Sequence, residues 1–419
     1  MTIKQETSAL RAIYTLVWFL IIASSVLQIK FFADGQMDYS SLVISDWLIS
    51  YDGGFVRRGL GGTILKSLQV LLPFSVRTTI FILYIVGTVL LTICLWRMFR
   101  HNRWSPFMIP FPICMFFGTG LYLLQTRRDY LVLLLTMILF RLASRKHTTS
   151  RLLKLHILSV VMILVYEPSF FFTIPLLAVM TYSQNTGSTW QRTTAILKVC
   201  LPATLAMTAV CLCKGDSDTA RAIWTSWQPM MEQHLIGTTI NGMGYGIDFL
   251  TWSLKDALSL HISRSWTDEF AFGWPSFPFT IYSFICIYYL VTRLNTVNMR
   301  IWPLDDTRTK ALSNILIMQF VFMLPLFGFL SCDFGRTIPC WVISSLAATA
   351  AFKDKRDISP AFVCILTDRL QQSINRISFL RNPLTYIVLL ITLPLSFDMG
   401  AQLDEMSFSP YIKMLIGFF

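Results

Sequence analysis

Apolar runs close to one membrane thickness recur along this chain, separated by short stretches of charge, glycine and proline. By length and boundary they predict roughly eleven membrane-spanning helices, at 12–30, 72–96, 105–124, 129–143, 155–167, 170–184, 194–213, 272–293, 312–331, 337–352 and 384–397. Several are shorter than the roughly 20 residues a perpendicular helix needs. Glu167-Pro168 interrupts the stretch 155–184, which predicts either two short helices or one kinked helix. The first run follows Lys4 and Arg11 and lacks a small-x-small cleavage site, so it reads as a retained helix with a cytoplasmic N-terminus. The expected fold class is all-α: a polytopic membrane protein, with residues 1–419 forming a single transmembrane domain.

Three segments between the spans carry a pattern of their own. The first outer loop, 31–71, holds GGFVRRGL; the second, 214–271, is long and polar, with Trp224, Trp227, Trp252 and Trp266 spread through it. Within it, ARAIWTSWQPMMEQHLIG has helical periodicity and one apolar face, which predicts an interfacial helix lying on the membrane, its tryptophans part of an interfacial belt. Residues 353–383 predict an amphipathic segment on the cytoplasmic surface.

Composition agrees with the pattern. Hydrophobic residues make up 54% and charged residues 14% of the chain, about half the charge a soluble domain carries. The net charge of +12 would suggest nucleic acid in a soluble protein; here basic cytoplasmic loops facing anionic headgroups account for it, so membrane lipids are expected partners and nucleic acid is not. Most of the 35 Lys and Arg fall in segments assigned to the inside, which sets the orientation. The nine Cys sit mostly inside apolar runs with no metal-like spacing, and no Walker loop, HExxH or GxSxG occurs. No metal and no cofactor are expected.

Four charged clusters stand where a membrane protein should avoid charge, all on the expected outer side. They are Arg57-Arg58 in YDGGFVRRGLGG, Arg127-Arg128-Asp129 in QTRRDYLVLL, Glu167 in LVYEPSFFF, and Asp333 with Arg336 in SCDFGRTIP. Each buried charge costs on the order of 2.5–3.5 kcal/mol, so such groups pair or line a watery cavity. Asp46, Asp52, Asp129, Asp333 and Glu167 are the candidate counter-charges. Guanidinium forks suit phosphate oxygens, and the glycines around Arg57 and Arg58 leave room and free N–H groups for an oxyanion. A helix starting near Leu60 would add the favourable end of its dipole. A lipid-borne diphosphate fits this description, although each cluster also has a plainer reading as a headgroup contact, a polar turn or an internal ion pair.

The ordered set GGFVRRGLGG, RRD, YEP and DFGR resembles bacterial Wzy-type O-antigen and capsular polysaccharide polymerases, within a wider class that includes O-antigen ligases and GT-C glycosyltransferases. The resemblance implies a GT-C-like arrangement with a large periplasmic loop in the bacterial inner membrane. It also implies an oligosaccharide on undecaprenyl diphosphate as substrate, and a chain-length regulator as a further partner. By motif, diphosphate binding falls on Arg57, Arg58, Arg127, Arg128 and Arg336, supported by Asp46, Asp129 and Asp333. The first outer loop lacks the adjacent acidic pair of metal-dependent GT-C enzymes, which favours metal-independent chemistry.

The expected reaction is glycosyl transfer at the periplasmic face. Arg58 and Arg336 would stabilise the departing diphosphate, and a carboxylate, Glu167 first and Asp52 second, would take the acceptor proton. The competing expectations are a transferase adding one sugar from a polyprenyl phosphate and, further off, a precursor transporter. A transporter would place charge along a path through the membrane and often show two related halves, and neither pattern is seen.

Overall fold

A computed structural model describes residues 38–99, 128–145, 148–263, 266, 284, 288, 306–327, 329–331, 334–351 and 359–377. Among them every regular element is a helix, and the β pairing is a lone bridge between Ile240 and Met243. The predicted spans 12–30, 105–124, 384–397 and nearly all of 272–293 lie outside the described residues. The chain divides into two compact units, one comprising Ile22–Ile93 and Leu124–Ala257, the other Met1–Ile21, Cys94–Leu123 and Leu258–Phe419.

The first of these units has a floor of four helices: α4 (Asp129–Ala143), α5 (Thr149–Val165), α6 (Ser169–Gln184) and α7 (Thr189–Leu212). Their ends follow local chemistry. Asp129 places an acid in the first turn of α4, where the dipole favours it. Thr148 caps α5 through its side chain, and Ser188 with Gln191 forms a capping box on α7. Helix α5 stops because Glu167 precedes Pro168, which disfavours helical backbone there; Tyr166 is already extended, at φ −158° and ψ 96°. Pro168 then caps α6, so the 155–184 stretch is two helices and not one kinked helix.

Contacts along the helices fix their directions. His156 of α5 meets the Lys198 carbonyl of α7 at 2.8 Å, and Gln184 at the end of α6 donates to Ala143 at the end of α4, also at 2.8 Å. The start of α4, the α5–α6 break and the end of α7 therefore share one end of the floor. Trp190, Leu197, Leu201, Leu205 and Leu212 of α7 are exposed, an apolar surface of the kind that hydrocarbon covers. Two described segments, Val76–Arg97 and Thr189–Leu212, are long and apolar enough to cross a membrane; α4, α5 and α6 fall short of that length, so the roughly eleven expected spans are not all accounted for.

Over one end of this floor lies a folded layer made from both predicted outer loops. It contains α1 (Leu42–Trp47), a 3-10 turn at Tyr51–Gly53, α2 (Gly59–Leu71), α8 (Ser217–Trp227) and α9 (Tyr245–Asp248), and it leads into α3 (Val76–Phe99). Tyr39, Ile44, Trp47, Ile49, Trp224 and Trp227 belong to its core. This corrects the interfacial reading of ARAIWTSW: the apolar face of α8 (Ala220, Ile223, Trp224, Trp227) packs inside the protein, and the Trp227 indole donates to the Leu48 carbonyl at 2.6 Å. Helix α10 (Leu254–Ile262) follows.

In the other unit, α11 (Asp306–Met323) packs on α12 (Phe334–Ala351) through the Trp341 indole, which donates to Leu316 at 2.8 Å, and through Gln319, which donates to Ser344 at 2.8 Å. The amphipathic segment predicted over 353–383 contains α13 (Ala361–Arg376), tied to α11 by Lys310 and Asp368 at 2.9 Å.

Candidate functional site

Where the folded layer meets the α5–α6 break, four charged side chains from three segments remote in sequence come together. Arg58 donates through Nε and Nη2 to the two carboxylate oxygens of Glu167, both at 2.7 Å, and through Nη1 to Asp46 Oδ1 at 2.9 Å. Its guanidinium lies 5.3 Å from the centre of the Tyr166 ring. Arg128 is 1% exposed; it approaches Asp46 Oδ2 at 3.3 Å, donates to the Asp46 carbonyl, and donates through Nη1 to the carbonyls of Arg58 at 3.0 Å and Val165 at 2.9 Å. The centre of the Trp47 ring is 5.7 Å from its guanidinium.

The local backbone is built for this arrangement. Arg58 occupies the left-handed region, at φ 63° and ψ 1°, directly before the first turn of α2. A side-chain-bearing residue adopts that conformation at a cost of roughly 1–2 kcal/mol, and here the Arg128 bond to its carbonyl helps to hold it. The turn also sends neighbouring arginines to different partners. Arg57 donates from its backbone N–H to Cys213 at 3.2 Å and from Nη2 to the Phe249 carbonyl at 2.9 Å. Among the described residues no carboxylate lies within ion-pairing distance of Arg57, and the residue as a whole is half-buried.

Electrostatics separates the twins further. Burial alone would lower the Arg58 pKa, but Glu167 and then Asp46 outweigh it, and the value is raised above that of ordinary arginine. Burial lowers the Arg57 pKa, and Glu167 and Asp46 only partly restore it. Both groups remain cationic at any physiological pH.

Of the expected site residues, Asp46, Arg57, Arg58, Arg128 and Glu167 are brought to one place, with Asp129 buried beside Arg128 at the start of α4. Asp52 is not among them: it accepts from Lys66 at 2.9 Å, Ser50 at 2.6 Å and Ser226 at 2.9 Å, which corrects its reading as a counter-charge to Arg57 and Arg58. Arg127 and Asp333 lie outside the described residues; Arg336 is in the first turn of α12, and its side chain is outside the description. Among the described residues no group of three or more His, Cys, Asp or Glu is placed to hold a metal ion.

The glycine reading also changes. A Cβ on Gly61 would stand 2.7 Å from Arg128 Nη1, one on Gly62 would run into the Ile49 carbonyl, and one on Gly59 would enter the Tyr51 ring. The room those glycines provide is filled by the protein itself. Trp47, Tyr166 and the carbonyls of Val165, Cys213 and Phe249 escaped the sequence reading; Tyr166, adjoining Glu167, was the most accessible of these from sequence.

No curated protein and no solved structure matches the chain. The family described as uncharacterised membrane protein Rv1490 matches residues 13–253, more than half of the chain. That stretch includes Asp46, Arg57, Arg58, Arg128 and Glu167 and ends before Arg336. The chain belongs to the Rv1490 family of membrane proteins.

Proposed function

We propose that this protein transfers saccharide units carried on a polyprenyl diphosphate, joining oligosaccharide repeats at the periplasmic face of the bacterial inner membrane. The observation that carries the reading is the convergence of Arg57, Arg58, Arg128, Asp46 and Glu167 at one end of a bundle of apolar helices. Isolated charges at such a place are costly, and three guanidinium groups there suit an oxyanion better than a neutral sugar.

In the proposed reaction an acceptor hydroxyl oxygen bonds to the anomeric carbon while the bond from that carbon to the diphosphate oxygen breaks. The bonding pair leaves on the diphosphate, and arginine donors stabilise the charge that develops there. The hydroxyl proton passes to Glu167. The diphosphate linkage supplies the driving force, so no nucleotide is consumed. Arg127 and Arg336 join the proposed set through the motifs RRD and DFGR. A chain-length regulator is the proposed protein partner.

The test is deletion of the gene in its host, followed by a gel of surface polysaccharide. A polymerase predicts loss of the ladder with one repeat unit kept on its anchor; loss of the whole glycan would indicate an earlier transferase, and an unchanged profile would sink the reading. Complementation with Arg58→Lys should restore less than about a hundredth of the polymer, because an ammonium cannot supply the fork that meets two carboxylates. Near-normal polymer from that variant would remove Arg58 from the chemistry.

A further inference from the structure

Glu167 poses a problem for any reaction that needs it as a base. Both of its oxygens accept short, charge-assisted hydrogen bonds from Arg58, which favour the ionised carboxylate and weaken it as a base. Asp46 does not relieve it, since that carboxylate is shared between Arg58 and Arg128. One residue away, Arg57 has a single hydrogen bond from its guanidinium, to the Phe249 carbonyl, and no carboxylate within ion-pairing distance among the described residues. The cluster therefore holds one paired arginine beside one with donors to spare.

We infer that Arg57 receives the diphosphate first and that Arg58 then exchanges Glu167 for a diphosphate oxygen, so that the base is released only when the donor is bound. The inference rests on the diphosphate reading above and adds an order of events to it. Arg58 keeps Asp46 throughout, and the Tyr166 ring below it tolerates a small rotation of the guanidinium plane. Arg128 stays in place, because three backbone carbonyls hold it. An enzyme working this way would not activate water against its lipid-linked substrate before the substrate is seated. The charged and titratable groups around Glu167 are Arg57 and Arg58 from the first loop, Asp46 from α1, Arg128 before α4, Tyr166 beside it and Cys211 on α7.

Exchange makes a prediction opposite in sign to a structural role. If diphosphate and Glu167 compete for Arg58, removing the charge of Glu167 should favour diphosphate. Binding of farnesyl diphosphate to the full-length protein in detergent can be measured by calorimetry for wild type, Glu167→Gln and Arg57→Ala, each checked for a monodisperse elution profile. Glu167→Gln keeps the shape of the side chain and is expected to bind about tenfold more tightly while losing turnover, since the two charged hydrogen bonds to the carboxylate no longer have to be broken. Arg57→Ala is expected to bind at least about tenfold more weakly. If Glu167→Gln binds with wild-type affinity or weaker, exchange is wrong while the diphosphate reading stands. If wild type does not bind farnesyl diphosphate, both fall together.

Discussion

Gly62 shows how a residue can be noticed for the right reason and assigned the wrong use. Its backbone N–H donates to the Ile49 carbonyl at 3.1 Å, and any side chain there would meet that oxygen. Gly62→Ala should therefore lower stability by about 1–3 kcal/mol, seen as a fall in Tm in detergent; an unchanged Tm would mean that α2 does not approach Ile49 so closely. The sequence marked Arg57, Arg58, Arg128 and Glu167 as misplaced charge, because charge inside apolar runs is expensive wherever the partners lie. It could not pair them, since Arg58 and Glu167 are 109 positions apart and the twin arginines look equivalent until φ at Arg58 turns positive. Asp52 is the instructive miss: the nearest acid in sequence turned to Lys66. Burial would raise its pKa, but hydrogen bonds from Ser50, Lys66 and Ser226 outweigh that and lower it. A depressed carboxylate contributes stability above its unfolded value of about 3.9 and loses it as pH falls through the folded value. The pair is partly exposed, so Asp52→Asn should cost only about 0.2–1 kcal/mol at neutral pH. The Tm difference from wild type should begin to shrink as pH falls below about 3.9 and vanish only once pH lies below the depressed folded value; a difference that persists beyond that would mean Asp52 acts through packing.

Among the elements, α4, α6 and α7 were legible to within a few residues, because long apolar runs bounded by caps and prolines leave little choice. The α5–α6 break was visible as Glu167-Pro168, but whether it kinked or ended a helix depended on how the following segment packs back, which periodicity does not encode. Helix α8 was readable as amphipathic and not readable as buried: an apolar face looks the same whether lipid or protein covers it. Trp227 decides the matter, fully buried and bonded to Leu48, with Lys66 over its ring at 5.5 Å. Trp227→Phe would leave the Leu48 carbonyl without this donor, so a loss of about 1–3 kcal/mol is expected, with faster proteolysis of the first loop. A membrane-facing tryptophan would tolerate the same change with little effect on either measurement.

Across the whole chain, the charge of +12 is distributed in a way that bears on sidedness. Between Tyr130 and Gly215 the sole acid is Glu167, whereas Arg141, Arg145, Arg151, Lys154, Arg192 and Lys198 all lie in that stretch. The directions of α4–α7 put Glu167 at one end of the floor, and the α4–α5 and α6–α7 connections, with most of these basic residues on or near them, at the other. Basic connections without acids favour the cytoplasmic side, and the proposed reaction requires the Arg58–Glu167 cluster on the opposite side of the membrane. Cysteine labelling tests this directly. In an otherwise cysteine-free chain, Thr186→Cys reports the exposed α6–α7 connection and Asp218→Cys the exposed first turn of α8. A membrane-impermeant maleimide applied to intact spheroplasts should label position 218 and leave 186 unlabelled until the cells are lysed. The opposite pattern would put the cluster in the cytoplasm and exclude chemistry on glycans already moved across the membrane.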